Sequence, residues 1–172
     1  MRCATVFFLL ILLFPGIVKN ADSQENIIVP STRVVAPQFT LVSLSGKKEG
    51  LETTRGKLVV MNFWATWCAP CRMEMPALET LSKKFKDQGL VVLGISQDRG
   101  RSDIVQKFIE EFGLTFTILL DPEGTVRAKY EVDGLPTTYI IGRDGKFLGK
   151  VVGFDAWDSP TMLTYFQKLL NR

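Results

Sequence analysis

Apolar residues in this chain fall into short unbroken runs separated by helically spaced ones, and that rhythm sets the expected fold. "KLVVMNFWA" (57–65), "GLVVLGIS" (89–96) and "FTILLD" (116–121) are continuous and rich in β-formers, as strands buried on both faces of a sheet require. Between the first two, Met75, Leu78, Leu81 and Phe85 recur at helical spacing and predict a helix over 69–86. Between the second and third, Ile104, Val105, Phe108, Ile109 and Phe112 predict another, capped by Ser102 and ended by Gly113. Upstream, "PQFTLVSLSG" (37–46) alternates like a strand and closes in a turn; "PEG" (122–124) reads as a turn. "TTYIIGRDGKFLGKVVG" (137–153) is two strands around Asp-Gly, a hairpin signal, and Ser159-Pro160 opens a last helix through Met162, Leu163, Phe166 and Leu170. Buried strands joined by helices, then an antiparallel hairpin, predict an α/β fold with a mixed sheet.

The N-terminus is a different material. One Arg precedes an apolar run from Ala4 to Val18, closed by Lys19. As a helix it would reach about 22 Å, short of a roughly 30 Å hydrocarbon core, which suits the apolar region of an export signal. Residues 1–21 are expected to be a signal peptide or a retained membrane anchor, 22–33 a polar linker, and 34–172 a single domain. The expected location is therefore exported, on the periplasmic or extracytoplasmic side of the membrane.

Charge adds little. The net charge is +3, but once Arg2 and Lys19 are set aside 19 basic residues face 18 acidic ones, and no basic stripe stands out. Nucleic acid is not an expected partner. The cysteines add more. Of three, Cys3 lies ahead of the apolar run, leaving Cys68 and Cys71 as one pair in the domain. An exported pair sits in oxidising surroundings. A structural zinc site needs four ligands, and the chain has no histidine and no second pair. A purely structural disulfide over two intervening residues closes too small a loop to constrain the unfolded chain much. A redox couple is the expected reading, with a purely structural disulfide left open. Strand, Cys-x-x-Cys, helix puts Cys68 at a helix N-terminus, where free N–H groups favour a thiolate, and Cys71 one turn further in.

"FWATWCAPC" resembles the active-site segment of the thioredoxin superfamily, and "GLPTTYIIGRDGKFLGKVVG" its cis-proline strand and hairpin. With the apolar N-terminus, the chain is similar to the exported thiol-disulfide oxidoreductases of the TlpA/ResA-like family over roughly Val34 to Arg172. The block from about Gln97 to Leu120 matches that family's central insertion. The resemblance implies a thioredoxin fold, with Cys68 as nucleophile and Cys71 as resolving thiol. It also implies a cis bond before Pro136 that turns the Leu135 backbone toward an incoming peptide, and Trp67 flanking the first sulfur. Pro70 fits the first helical turn, where a missing N–H matters little, and limits the freedom of the reduced pair.

Thioredoxin carries a buried aspartate six residues before the first cysteine; this chain has Asn62. Glu74, one helical turn beyond Cys71, stands where ResA-like proteins hold a glutamate tied to thiol protons, and burial would raise its pKa toward working range. Pro76 leaves the Arg72 carbonyl without its N–H partner and predicts a kink. The implied activity is reduction of a protein disulfide, in apocytochrome c or another exported protein, recharged by a membrane thiol-disulfide carrier and needing no soluble cofactor. Two alternatives stand: a peroxiredoxin-like peroxidase, although "ATWCAPC" lacks the Pro-x-x-x-Thr-x-x-Cys context, and a thiolate copper-handling module, for which Met73 and Met75 are the nearest extra sulfurs.

Overall fold

The computed structural model describes residues 26–172; the expected signal or anchor segment and Cys3 lie outside the described residues. Seven strands and four helices alternate in the order β1 (Thr40–Ser43), β2 (Lys48–Gly50), β3 (Leu58–Trp64), α1 (Ala69–Phe85), β4 (Leu90–Ser96), α2 (Ser102–Phe112), β5 (Thr117–Leu120), α3 (Thr125–Lys129), β6 (Thr137–Ile141), β7 (Phe147–Val152) and α4 (Pro160–Leu170). They form one mixed sheet in the order β2-β1-β5-β4-β3-β6-β7. β3, β4 and β5 run parallel, while β6 and β7 on one side and β1 and β2 on the other are antiparallel. No helix among the described residues is long and apolar enough to cross a membrane.

The unbroken apolar runs are central strands because both faces of the sheet are covered. All seven residues of β3 are buried. Alternation divides them: Val60 and Trp64 join Val92, Ile118 and Ile140 beneath α1, α2 and α4, whereas Val59, Met61 and Phe63 join Leu93, Ile95 and Tyr139 on the opposite face with α3. Asn62 shares the parity of Val60 and Trp64, so it faces α1. The β3–β6 register sets Thr138 directly opposite it.

Several elements depart from the expected pattern. Ser102 is the first residue of α2, not its cap; Arg101 takes the cap position without a side-chain bond. The turn at 122–124 leads into α3, one turn of helix anchored where Asp121 accepts from Thr125 Oγ1 and from the amides of Val126 and Arg127. α1 continues through Pro76 to Phe85. Along the free edge of β7, the chain from Ile28 to Ala36 forms isolated bridges at Lys150 and Lys146, and Ile27 is buried in the core. The stretch expected to be a linker is therefore in part docked on the sheet.

Gly94, in the middle of β4, lies opposite Asn62 in the β3 register. A Cβ there would come within 2.6 Å of Ile118 Cδ1 and 3.0 Å of Trp64 Nε1. Gly94→Ala is expected to lower unfolding free energy by about 1–3 kcal/mol, read from urea titration of the oxidised protein, because the side chains it meets are already close-packed.

Candidate active site

The chain leaves β3 at Trp64, turns through Ala65-Thr66-Trp67, and enters α1 with Cys68 as its N-cap. Two contacts hold this turn. Asp98, at the end of neighbouring β4, accepts from the Thr66 amide at 3.0 Å, from Thr66 Oγ1 at 2.6 Å and from Ser96 Oγ at 2.9 Å. Arg72, in the first turn of α1, reaches back to the Thr66 carbonyl and lays its guanidinium over Phe108 of α2. The loop before the first cysteine is thus fixed from both sides.

Cys68 and Cys71 are joined in a disulfide, with Cα atoms 5.3 Å apart. The Cys71 amide donates to Cys68 Sγ at 3.3 Å, so the helix N-terminus directs backbone N–H at the first sulfur, an arrangement that stabilises a thiolate when the bond opens. Both cysteines are buried, Cys71 completely and Cys68 to 6% exposure; only the first offers any surface to a partner. Trp67, immediately before it in the chain, is 68% exposed; Met73 of α1 and Phe154 after β7 are exposed as well, at 69% and 44%. Pro70 is exposed in the first turn of α1. The Leu135–Pro136 bond is cis, at the start of β6, and Pro136 is paired to the end of β7 through the Gly153 amide.

Glu74 lies on the inner face of α1 and is wholly buried. Its Oε1 accepts from Asn62 Nδ2 at 2.7 Å; its Oε2 accepts from Trp157 Nε1 at 3.1 Å and from the Asp155 amide at 3.2 Å. Burial pushes its pKa up to about 7; the donors from Trp157, the Asp155 amide and Asn62 pull the other way, and the Asp155 carboxylate raises it further. No group of three or more metal-ligating side chains occurs among the described residues.

The sequence reading named Cys68, Cys71, Trp67, Pro70, Glu74, Leu135 and Pro136 as site residues; the structure places Trp67 in the turn between β3 and α1, Cys68 at the cap of α1, Pro70, Cys71 and Glu74 within α1, and Leu135 and Pro136 just ahead of β6, which pairs with β3. The sequence reading missed Asp98, Thr138, Asp155 and Trp157. Asp98 was signalled only by an acidic residue just after a strand that lies beside the cysteine strand. Asp155 and Trp157 sit 81 and 83 residues from the glutamate they bond, and nothing local in "GFDAWD" marks them.

Residues 33–148 match the AhpC/TSA family. The thioredoxin-like protein YneN of Bacillus subtilis is 44% identical over 111 residues, 64% of this chain and 65% of that protein, so the chain spans slightly under two thirds of this relative. The thiol-disulfide oxidoreductase ResA of Geobacillus kaustophilus is 36% identical over 153 residues, 89% of this chain and 86% of that one. Among solved structures, the thioredoxin domain of a thiol-disulfide oxidoreductase from Bacteroides vulgatus superposes with a TM-score of 0.71 at 28% identity, covering 83% of this chain and 99% of that one.

Glu74 binds more protons folded than unfolded between its ordinary value of 4.5 and its raised value of about 7. Its stabilising contribution is complete below the first and lost as pH rises through the second. The chain has no histidine, so no imidazole titrates in this window. Urea unfolding of the oxidised protein should show stability falling by about 3 kcal/mol across it, and Glu74→Gln should flatten that slope.

Proposed function

Because the chain belongs to the AhpC/TSA family and is a thiol-disulfide oxidoreductase of thioredoxin fold, we propose that it works as an exported reductase of disulfides in other proteins. The observation that carries this reading is the Cys68–Cys71 bond at the N-terminus of α1 with a buried carboxyl, Glu74, one turn behind it. In the dithiol form, the Cys68 thiolate attacks one sulfur of a substrate disulfide. A mixed disulfide forms and one substrate thiolate leaves. Cys71, having passed its proton to Glu74, then attacks Cys68 Sγ; the Cys68–Cys71 bond closes and the second substrate thiolate departs. Two electrons pass to the substrate, and Glu74 returns a proton to it or to solvent.

Exposed Trp67, beside Cys68, offers apolar contact to the residues flanking a substrate cysteine, and the Leu135 backbone ahead of β6 offers the edge for an extended peptide. The Ala69-Pro70 spacer brings no charge to the thiolate, which favours the reducing direction. The resemblance to the TlpA/ResA-like family makes a cysteine pair of apocytochrome c one candidate substrate, with a membrane thiol-disulfide carrier as electron donor and residues 1–21 as signal or anchor. A peroxidase reading is disfavoured: Met61 and Ala65 stand seven and three residues before Cys68, where Pro-x-x-x-Thr-x-x-Cys places its proline and threonine.

The deciding measurement is the reduction potential of the Cys68–Cys71 pair against a glutathione or dithiothreitol series. A value well below about −200 mV supports the reductase, and one near about −120 mV reverses the direction. Cys71→Ser should accumulate a mixed disulfide through Cys68 with a disulfide-bearing protein, and Cys68→Ser should accumulate none. Glu74→Gln should slow disulfide reduction by about 10²-fold or more near neutral pH, if the carboxyl moves the Cys71 proton.

A further inference from the structure

Asn62, Glu74 and Thr138 are each completely buried. The Asn62 amide nitrogen donates one hydrogen to Glu74 Oε1 at 2.7 Å and one to Thr138 Oγ1 at 2.8 Å. Its oxygen has no partner. This arrangement suits a carboxylate and fails an acid. On Oε2, Glu74 meets two donors, the Trp157 indole and the Asp155 amide, neither of which can accept a proton. A proton on Glu74 therefore belongs on Oε1, where the hydrogen-bonding neighbour is Asn62, and an amide nitrogen cannot accept it either.

A carboxamide is nearly symmetric in shape, so turning it end for end exchanges oxygen and NH2 with little change in packing. Turned, Oδ1 takes the place between Glu74 Oε1 and Thr138 Oγ1. There it repels a carboxylate but accepts from a carboxylic O–H, and the threonine hydroxyl donates to it as well. The orphan oxygen becomes the doubly satisfied one. Each orientation of Asn62 thus fits one protonation state of Glu74 and opposes the other.

We infer that the Asn62 amide reverses with the proton on Glu74, donating to the carboxylate and accepting from the acid. Asn62 is then a positioning residue that keeps a hydrogen-bond partner on Glu74 Oε1 in both states, while the end of the amide turned away from Glu74, oxygen in one orientation and NH2 in the other, is the unpartnered one. The charged group facing Glu74 is Asp155, from the loop after β7; β3 presents the neutral Asn62, behind which stands Thr138 of β6, and one turn back on α1 is Cys71, closed in the disulfide. With Glu74 poised to titrate near neutrality, both orientations are populated at working pH. The consequence for catalysis rests on Glu74 exchanging the thiol proton as proposed above, but the amide reversal is read in the oxidised protein and stands or falls apart from the reduction potential.

The test uses the full-length, oxidised protein labelled with 15N and 13C. Scalar coupling across the Asn62 Nδ2–H···Oε1 bond to the Glu74 carboxyl carbon is measured about two pH units above and below the Glu74 midpoint. It should be present above and lost below, with the Asn62 carboxamide carbon titrating at the same midpoint as Glu74. Coupling that persists on both sides, or an Asn62 carbon that does not follow Glu74, overturns the inference. Asn62→Leu supplies a second reading, since leucine neither donates nor accepts. Removing a fixed donor would raise the proton affinity of Glu74 about tenfold or more, whereas removing an amide that serves both states should change it less than about threefold. If Asn62→Leu fails to fold, the wild-type coupling decides.

Discussion

A carboxyl group sits in the dry interior of this domain, and donors from two separated stretches of chain converge on it from outside its own helix. Asn62 comes from the central strand, Trp157 and the Asp155 amide from the loop after the last strand, and Glu74 itself from the first helix. An ionised carboxylate without these partners would be untenable at zero exposure. With them, one group ties α1 to β3 and to the far end of the hairpin. That tie fixes the helix bearing both cysteines against the strand pair whose entrance is the cis Leu135–Pro136 bond. The redox pair and the peptide-facing edge are held in one frame by a hydrogen-bonded acid, not by apolar contact alone.

The same frame makes the two sulfurs unequal. Cys68 caps α1 with the Cys71 amide aimed at its sulfur, and the turn before it is held by Asp98 and Arg72. Cys71 faces inward on the Glu74 side of the helix and has no exposure. Attack on a partner therefore falls to the first sulfur, while the second depends on an internal proton acceptor because water cannot reach it. An acid with a pKa raised toward neutrality is the kind of group that task requires.

Much of this was legible in the sequence wherever the signal was local. β3 and β4 fell inside apolar runs that only a doubly covered strand explains, and α1 was placed within a residue of its observed end by the spacing of Met75, Leu78, Leu81 and Phe85. β2 was invisible because "KEG" is three polar-to-small residues whose strand character comes wholly from pairing with β1. α3 was invisible because one turn of helix is stabilised by Asp121 and not by its own periodicity. Glu74 could be singled out through the family resemblance, since it stands one turn beyond Cys71 where ResA-like proteins hold a glutamate and Asn62 stands where thioredoxin has its aspartate. Its partners Asp155 and Trp157 could not, because a hydrogen bond spanning more than 80 residues leaves no trace in either segment.

The exchange of residues at the strand and helix positions follows from electrostatics. In the thioredoxin pattern that this sequence resembles, the buried acid is on the strand; here it has crossed to the helix and an amide stands at position 62. The two positions are 2.7 Å apart at their bonding atoms. Carboxyls at both could not ionise together: like charges that close share one proton, and the second pKa is driven far up. Asp155 already adds one repulsive charge to Glu74. A neutral residue at 62 is thus the condition under which Glu74 ionises near neutrality, and one that can hydrogen-bond keeps Oε1 partnered where an apolar one would not. Asparagine meets both demands, which is why the acid on the helix and the amide on the strand are best read as one unit.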